Sequence, residues 1–214
     1  MIVNSKNKRP KLSICVVTYN QEDYIAQCIS SLIEQKTNFQ FEIIIGDDFS
    51  KDKTTQIVRD FGDKYPDIIK IIYRNKNVGA AKNFIDVHET AIGEYVAHID
   101  GDDYALPDKF QTQVDFMERN VDCNLTWHRM LVDRNGELKA DLFDLKMIPQ
   151  KGFVRADLLK YITIGLNSSK MYRAGSFYFE RPDFPILDYF ANVEQIGDGY
   201  ANYVSDKPLG VYRA

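Results

Sequence analysis

The feature that most constrains the fold of this chain is a fourfold alternation of short apolar runs with segments of helical periodicity. The apolar runs cover residues 12–18, 42–46, 68–73 and 94–99, and their β-branched residues predict strands buried on both faces. The intervening segments 23–34, 54–64, 80–91 and 107–118 carry apolar residues at helical spacing. Such alternation is typical of a mostly parallel sheet covered by helices on both faces, so we predict an α/β fold.

Beyond residue 118 the pattern becomes irregular. It predicts a strand at 124–132, a hairpin turn at 134–137, a short helix at 155–162, strands at 170–173 and 177–179, and a helix at 187–196. A turn at 197–199 and two short strands complete the chain. No repeat, low-complexity stretch or linker interrupts it, so we expect one domain over residues 1–214, with a regular front half (about 10–103) and an irregular back half (104–214).

Charge and cysteine content narrow the classes of protein to which the chain can belong. A formal net charge of −4 argues against a nucleic-acid partner, for which a basic surface is expected. Cys15, Cys28 and Cys123 form neither a disulfide framework nor zinc-ligand spacing, which favours a reducing, cytoplasmic setting. The first ten residues lack the apolar stretch of a signal peptide, and no segment reaches the roughly 18 apolar residues of a membrane span.

Polar side chains follow each predicted strand of the front half. In a parallel sheet the ligand site lies at the carboxyl ends of the strands, so these residues are the candidates for binding. At least five carboxylates follow the second and fourth strands, and their repulsion has to be offset by a metal ion or by hydrogen bonds. The candidates are Thr18, Tyr19 and Asn20; Asp47, Asp48, Ser50 and Asp52; Asn75, Asn77, Gly79, Lys82 and Asn83; and Asp100, Gly101, Asp102 and Asp103.

The run from Asp100 to Asp103, Asp-Gly-Asp-Asp, is the sharpest of these signals. Hard cations such as Mg2+ take one or two carboxylates and complete their shell with substrate phosphates, and the glycine allows a close approach. A solvated acidic turn before a helix is the alternative interpretation. A calcium-binding helix–loop–helix is excluded, because the loop lacks Gly and Glu at its sixth and twelfth positions.

Three other residues have both a binding and a structural interpretation. Asp48 suits the imide or amino edge of a pyrimidine, since a carboxylate accepts from N–H groups, while Ser50 or Asp52 caps the next helix in its place. Lys82 either reaches a diphosphate as a point charge or is a solvated helix residue. Thr18 is either a pocket residue or an ordinary strand residue.

These motifs, in this order and spacing, resemble the family-2 inverting glycosyltransferases of the GT-A fold. The resemblance extends from about residue 12 to residue 213. It rests on the closing PLGVYR and on four longer segments: SICVVTYNQEDYIAQCISSL, EIIIGDDFSKDKT, NKNVGAAKN and YVAHIDGDDYALPDKFQTQ. It implies a Rossmann-like, mostly parallel sheet flanked by helices, followed by an irregular acceptor-binding half. The chain departs from the family pattern at Phe49 and Lys53, where Gly is usual.

The resemblance also implies a role for each candidate. The nucleotide sugar is expected to contact residues from all four strand ends, with a divalent metal, Mn2+ or Mg2+, at the fourth. The implied contacts are Thr18, Tyr19 and Asn20 with the nucleotide, Asp48 with the base (most often uracil), Asn77 and Lys82 with the pocket, Asp100 with the ribose or sugar, and Asp102 and Asp103 with the metal and diphosphate.

The family's catalytic base is an Asp or Glu of the back half that opens a helix ending in Gly before the last strands. Asp188, which precedes Tyr189 and has Gly199 behind its helix, matches this arrangement and is favoured. Asp198, between two glycines, is its rival. The structural alternatives are a helix cap for Asp188 and a turn aspartate for Asp198.

The implied reaction moves a sugar from a uridine diphosphate sugar to a hydroxyl of a glycan, a lipid-linked glycan or a protein, in cell-surface polysaccharide or glycan synthesis. The base takes the proton of the attacking hydroxyl, and one displacement inverts the anomeric configuration. His88, His98 and His128 are not needed, and His98 is expected to be structural. The implied location is the cytoplasm, with peripheral association at the inner face of the membrane.

Two other classes of protein are alternatives to a glycosyltransferase. A nucleotidyltransferase would need a Gly-rich, basic loop after the first strand, and residues 18–22 contain neither Gly nor Lys. A non-catalytic module that only binds a nucleotide sugar would keep the pocket without turnover.

Overall fold

The computed structural model of the chain describes residues 9–160, 165–176 and 188–214. The predicted strand at 177–179 and the expected ends of two helices, at 161–162 and at 187, lie outside these described residues. Within them, the predicted succession of strands and helices in the front half is confirmed, with ends that differ by a few residues.

The front half alternates strands and helices through the acidic residues and into the helix that follows them. None of the helices in the described segments is long and apolar enough to cross a membrane. The elements are β1 (Leu12–Thr18), α1 (Ile25–Ile33), β2 (Phe41–Asp47), α2 (Thr54–Lys64), β3 (Ile69–Ile72), α3 (Ala80–Glu89), β4 (Tyr95–Asp100), β5 (Tyr104–Ala105) and α4 (Lys109–Arg119).

The back half contributes shorter elements, which are spread over two sheets. They are β6 (Cys123–Trp127), β7 (Met130–Arg134), β8 (Glu137–Ala140), α5 (Arg155–Lys160), β9 (Met171–Arg173), α6 (Asp188–Ile196), β10 (Tyr200–Tyr203) and β11 (Gly210–Arg213). The predicted hairpin turn between β7 and β8 is confirmed: Asn135 and Gly136 have φ of 55° and 88°, as a type I′ turn requires.

The larger sheet has the strand order β10-β6-β9-β4-β1-β2-β3. Its strands run in one direction except β9, which is antiparallel to β4 and to β6. The smaller sheet, in the order β5-β11-β7-β8, pairs the strand after the acidic residues with the last strand of the chain. The predicted α/β fold with a mostly parallel sheet flanked by helices is therefore confirmed.

Side chains of β1 alternate between two buried layers, one on each face of the larger sheet. Leu12, Ile14 and Val16 pack with α1, α2 and α4, whereas Cys15 packs in the layer that contains α3 and α6. Both layers are closed to solvent, which explains why the strands are continuous apolar runs. Cys28 is also buried and unpaired, as expected of a small core residue.

The predicted strand at 124–132 is wrong in one respect, because it is two strands in two sheets. Trp127 ends β6 and pairs with Tyr203 in the larger sheet, while Met130 begins β7 and pairs with Gly210 in the smaller one. The chain changes sheet between them, at His128 and Arg129. Both strands are apolar, so the sequence pattern does not reveal the break.

Gly46 provides a test of the packing between β2 and α3. A Cβ atom at this position would meet Val87 Cγ2 at 2.3 Å and Asn83 Oδ1 at 2.6 Å. We expect Gly46→Ala to lower the free energy of unfolding by about 1–3 kcal/mol, as overpacking does, in a urea titration. Gly175→Ala, where a Cβ atom meets nothing within 4 Å, is the matched control and should change it by less than about 0.5 kcal/mol. Equal losses for the two variants would contradict this packing.

Candidate functional site

The carboxyl ends of β1, β2 and β4 meet at one edge of the larger sheet. Thr18 pairs with Asp47 on one side, and Val17 pairs with Asp100 on the other. A cavity of about 410 Å³ opens at this edge and is called here the carboxyl-edge cavity. Its walls come from both halves of the chain: Val17, Thr18, Tyr19, Gln21, Asp48, Asn77, Gly79, Ala80, Asn83, Asp100, Asp102 and Tyr212.

Asp100, at the end of β4, lines the cavity with a carboxylate whose side chain is 32% exposed. Its Oδ1 lies 3.0 Å from His98 Nε2, and its backbone N–H donates to Ser168 Oγ at 2.9 Å. Burial raises its pKa, but His98, Lys170 and Ser168 together outweigh burial, so the pKa lies below its usual value. Asp100 is therefore an ionised acceptor at the cavity wall.

Asp102 is the second carboxylate of the acidic residues that lines the cavity. Burial, with the neighbouring charge of Asp100, raises its pKa, and a hydrogen bond with Gln21 acts against this. Gly101, between the two carboxylates, is in close contact with β1: a Cβ atom there would lie 2.8 Å from Thr18 Oγ1. The glycine thus allows the acidic residues to pack against the end of β1.

Asp103, predicted as a metal ligand, is fully buried and does not line the carboxyl-edge cavity. Its Oδ1 accepts from the backbone N–H of Arg213 in the last strand at 2.9 Å. Burial raises its pKa to about 7, and Asp100 and Asp102 act in the same direction. The carboxylate is buried beside β11 and joins the acidic residues to that strand, which disfavours the predicted role of Asp103 as a metal ligand without testing it.

Asp48 both lines the cavity and holds the loop between β3 and α3. Its two oxygens accept from the backbone N–H groups of Val78 at 2.7 Å and Gly79 at 2.9 Å, and its carbonyl accepts from Asn77 Nδ2 at 3.0 Å. The expectation that Asp48 is free to bind a ligand is therefore wrong in part. Each oxygen keeps a further lone pair, so a ligand N–H can be added to these bonds.

The other aspartates after β2 are structural. Asp47 accepts from Ser50 and Thr55 side chains, and Asp52 accepts from the backbone N–H groups of Thr54 at 2.9 Å and Glu22 at 3.1 Å. The contact of Asp52 with Thr54 caps the start of α2, as the sequence indicated. These bonds also fix the loop that follows β2 against the loop that follows β1.

The backbone conformation at Phe49 is one that favours glycine, the residue expected here from the family resemblance. Its φ is 64°, in the left-handed region that favours glycine. The ring is partly exposed, and Lys51 Nζ lies 3.5 Å from its centroid. Lys53, the other departure from the family pattern, has an ordinary φ of −78° at the start of α2. The chain thus keeps the backbone of a glycine-containing loop with a phenylalanine in it.

Two further predicted nucleotide contacts lie outside the cavity wall. Asn20, with φ of 52°, accepts from Lys51 N through Oδ1 and donates its own N–H to Ser50 Oγ. Lys82 Nζ lies 2.8 Å from both carboxylate oxygens of Asp86, one helical turn along α3, and does not line the cavity. Thr18, Tyr19 and Asn77 do line it, whereas the nucleotide contacts predicted for Asn20 and Lys82 stay predictions.

The two candidate bases lie at opposite edges of the larger sheet. Asp188 is exposed at the first residue of α6, and its charge raises the pKa of Tyr212, a residue of the cavity wall, after the larger effects of burial and of the acidic residues. The turn that contains Asp198 instead packs on Asp122 and Asn124, where β6 begins. Because β6 is parallel to β4, its beginning lies at the amino edge, away from the cavity.

Sequence analysis missed three residues that shape this site: Gln21, Ser168 and Tyr212. Tyr212 is part of the closing PLGVYR, a segment that contributes to the family resemblance but to which no role in the site is assigned from the sequence. Ser168 lies in a short 3-10 turn before β9 and holds the acidic residues through the Asp100 amide. No local pattern marks it, because its partner is 68 positions away in the chain.

The arrangement is suited to an anionic ligand bound through a hard cation. Among the described residues, no group of three or more His, Cys, Asp or Glu side chains is arranged to hold a metal ion. Of the three carboxylates that line the cavity, that of Asp102 has its side-chain hydrogen bond with Gln21, itself a residue of the cavity wall, so a cation here would depend on oxygens of a ligand. This is the usual way in which Mg2+ and related ions are bound with phosphates.

The sequence model of the family described as "Glycosyl transferase family 2" matches residues 13–177 of the chain. An uncharacterized protein of Mycobacterium tuberculosis is 38% identical over 122 residues, which is 56% of this chain and 35% of that protein. The glycosyltransferase TuaG of Bacillus subtilis, provisionally assigned to teichuronic acid biosynthesis, is 28% identical over 209 residues. This match covers 97% of this chain and 80% of TuaG.

Solved structures show the same fold. The crystal structure of S. aureus TarS superposes with a TM-score of 0.74 at 25% identity, and covers 95% of this chain and 37% of TarS. TarS residues 1–349 have also been solved in complex with UDP, with a TM-score of 0.69 at 23% identity. The chain therefore spans about a third of the length of TarS and of the mycobacterial relative.

Asp48 can be tested as the anchor of the loop between β3 and α3. In Asp48→Ala, two backbone N–H groups lose a charged acceptor, so we expect a loss of about 1.5–3 kcal/mol in the free energy of unfolding. Hydrogen exchange at Val78 and Gly79 should become faster. Asp63→Ala, at an exposed position of α2, is the control and should leave both measurements unchanged. Unchanged exchange in Asp48→Ala would show that the loop does not depend on this carboxylate.

Proposed function

Because the chain belongs to glycosyl transferase family 2, we propose that it transfers a sugar from a nucleoside diphosphate donor to an acceptor hydroxyl, with inversion at the anomeric carbon. The observation that carries the proposal is the carboxyl-edge cavity, in which Asp48, Asp100 and Asp102 come from two strand ends and face one space. Three carboxylates around a cavity of about 410 Å³ suit a ligand with N–H and hydroxyl donors and a phosphate-bound cation.

The donor is proposed to be a uridine diphosphate sugar. Asp48 accepts from backbone N–H groups with one lone pair of each oxygen and has capacity for the N–H of a pyrimidine. Thr18, Tyr19 and Asn77 form the adjoining wall, and Asp100 is placed to accept from a hydroxyl of the ribose or the sugar. TarS, which is similar to this chain, binds UDP in its solved complex, and this supports uracil as the nucleobase of the donor.

The cation is proposed to be Mn2+ or Mg2+, held by Asp102 and the donor diphosphate. Burial and the charge of Asp100 raise the pKa of Asp102, which is the electrostatic situation that a bound cation relieves. When bound, the cation stabilises the negative charge that develops on the leaving diphosphate. Asp103 is not proposed as a ligand, because its carboxylate is buried against β11.

Asp188 is proposed as the general base. It is exposed at the start of α6, and its charge acts on Tyr212 in the cavity wall and on the buried Lys170, which also feels Asp100. A carboxylate in this place can take the proton of an acceptor hydroxyl as that oxygen attacks the anomeric carbon. Asp198 lies at the opposite edge of the sheet, so we do not propose it.

The acceptor is proposed to bind through the back half, residues 104–214, and the donor through the front half, about residues 10–103, within a single domain. A glycan, a lipid-linked glycan or a protein would supply the hydroxyl, as in the synthesis of cell-surface polysaccharide. The similarity to TuaG, over 97% of this chain, supports that kind of product. A cytoplasmic location, with contact at the inner face of the membrane, belongs to the same proposal.

Binding of UDP is expected to depend on the metal ion and on Asp102. Calorimetry with UDP and Mn2+ should show binding that weakens strongly after a chelator is added. In Asp102→Asn, release of UDP from a UDP-sugar should fall by about 100-fold or more, because stabilisation of the leaving group worth several kcal/mol is lost. The melting curve of the variant should stay close to that of the parent.

Asp63→Asn on α2 is the matched control for charge removal and should keep full turnover. Equal UDP affinity with and without chelator would contradict the proposal that a metal ion takes part in donor binding. Preference for an adenine or guanine nucleotide would contradict the proposal that the nucleobase of the donor is uracil. Release of pyrophosphate from a nucleoside triphosphate would indicate a nucleotidyltransferase, and binding of UDP-sugar without any turnover would indicate a binding module.

Asp188→Asn is expected to separate transfer from donor binding. The amide keeps the shape and capping ability of the side chain but cannot take the proton, so transfer should fall by about 10²–10⁴-fold. UDP affinity should be nearly unchanged, since the base contacts the acceptor. The measurement is the turnover number for transfer beside the calorimetric affinity for UDP.

Asp198→Asn serves as the matched control, because it makes the same change in a turn at the amino edge of the sheet. It should keep the turnover of the parent. A large loss in Asp198→Asn with normal turnover in Asp188→Asn would overturn the assignment of the base. Normal turnover in both variants would show that the base is a different residue.

A further inference from the structure

A row of buried polar groups leads from the interior of the protein to Asp100. Tyr172 Oη on β9 lies 2.7 Å from His88 Nδ1 on α3, and His88 Nε2 lies 2.9 Å from His98 Nδ1 on β4. His98 Nε2 lies 3.0 Å from Oδ1 of Asp100, and Asp100 is one of the residues that line the carboxyl-edge cavity. The row joins three elements of the fold and ends at a residue of the candidate site.

These groups are shielded from water along their whole length. His98 and Tyr172 are at most 1% exposed and His88 is 4% exposed. Phe84 stacks on the His88 ring with centroids 4.0 Å apart and lies against His98 at 5.1 Å. Buried polar atoms need hydrogen-bond partners, and the side chains of Tyr172, His88 and His98 supply them to one another.

The chemistry of the groups gives the row a direction. The oxygens of a carboxylate accept hydrogen bonds, so His98 Nε2, 3.0 Å from Asp100 Oδ1, carries the proton and donates to it. In a neutral imidazole the other nitrogen accepts, so His98 Nδ1 accepts from His88 Nε2. The same rule makes His88 Nδ1 accept from the Tyr172 hydroxyl. Every hydrogen bond then points toward the cavity.

The surroundings keep His88 neutral, as this direction requires. Burial lowers its pKa well below 6.5, and the buried ammonium of Lys170 acts in the same direction. A doubly protonated His98 would reverse the row, because its Nδ1 would then donate to His88.

We propose that Tyr172, His88 and His98 form a directed hydrogen-bond chain that orients the carboxylate of Asp100 toward the donor, and so are positioning residues for sugar transfer. The terminal torsion of an aspartate has broad, weak preferences, so the rotamer alone does not fix which oxygen faces a ligand. The hydrogen-bond chain holds Oδ1 on His98, and the Ser168 hydroxyl donates to Oδ2 at 3.4 Å, so both oxygens of this cavity-lining carboxylate have a fixed place.

This inference rests on the proposed function, because it gives a purpose to Asp100 as an acceptor for a donor hydroxyl. It concerns residues that do not line the cavity and therefore do not contact the donor themselves. The hydrogen-bond chain orients Asp100 from the protein interior, in addition to the contact that Ser168 makes with Asp100 from the back half.

Nitrogen-15 NMR of the ring nitrogens of the parent protein tests the direction without any activity. Both His88 and His98 should be neutral with the proton on Nε2. A proton on Nδ1 of either residue, or an imidazolium at His98, would overturn the proposal. This result does not depend on whether the protein binds a nucleotide sugar. It therefore tests the hydrogen-bond chain independently of the proposed function.

Substitutions at His98 test the effect on transfer. His98→Leu has a similar volume and no hydrogen bonds, and transfer should fall on the order of 10- to 100-fold, as for partners that orient a ligand-binding side chain. UDP affinity in the presence of Mn2+ should change by less than about threefold, corresponding to well under 1 kcal/mol. His98→Gln keeps one donor and one acceptor and should retain most of the turnover of the parent.

Tyr172→Phe tests the far end of the chain and removes a single hydroxyl group. Transfer should fall about 2- to 10-fold, as for one lost neutral hydrogen bond. Tyr95→Phe is the matched control, since Tyr95 is also buried in the sheet and its hydroxyl instead accepts from Arg173. It should leave transfer unchanged.

The parent protein must first show transfer, and its failure to do so would count against the proposed function instead. With an active parent, full turnover in His98→Leu would overturn the inference. So would turnover in His98→Gln as low as in His98→Leu, or equal turnover in Tyr172→Phe and Tyr95→Phe. If His98→Leu does not fold, the tyrosine pair and the NMR measurement still decide.

Discussion

The parallel pairing of β1 with both β2 and β4 is the constraint on which the candidate site depends. Because β1 lies between them in register, Thr18 is placed beside Asp47 and Val17 beside Asp100. The backbone N–H groups that follow the strands continue this pairing: Asp48 N donates to Thr18 O, and Gly101 N donates to Val17 O, each at 2.9 Å. The position of the carboxylates is thus fixed by backbone hydrogen bonds before any side chain acts.

A group of buried polar side chains on and beside α4 supports the acidic residues from the protein interior. Lys109, fully buried at the start of α4, donates to the carbonyl of Ser168 and lies 2.9 Å from His128 Nε2. Burial lowers the pKa of Lys109 to about 7, while the nearby Asp103 opposes this. Gln113, one turn further along α4, donates to Ser169 O at 3.0 Å. The turn that contacts Asp100 is therefore tied to the helix that follows the acidic residues.

The sequence predicts the front half well because local periodicity determines it. Strands buried on both faces and amphipathic helices leave distinct patterns, and topology then places every strand end at one edge. It predicts which loops form the site but not which way each side chain points. Asp102 and Asp103 are neighbours in the chain, yet one lines the cavity and the other is buried against Arg213 N.

The back half is less predictable because its contacts are long-range. The strand break at His128 lies where the pairing partner changes from β10 to β11, and both partners come much later in the chain. Ser168 is recognisable only through its contact with Asp100, and Tyr212 only through its place in the cavity wall. Asp188 could be chosen over Asp198 from a family resemblance, and the physical distinction between them, the edge of the sheet at which each lies, needs the strand order.

The last strand connects the two halves in a way that bears on catalysis. Arg213 donates its backbone N–H to Asp103 and its guanidinium to the carbonyl of Asp102, while Tyr212 beside it lines the cavity. The last strand, which belongs to the half proposed to bind the acceptor, thus also holds the acidic residues. Since the Tyr212 hydroxyl senses the charges of both Asp102 and Asp188, the sites proposed for the metal and for the base belong to one electrostatic environment. The proposed donor site and the proposed base consequently belong to one packed unit, in which β11 is the shared element.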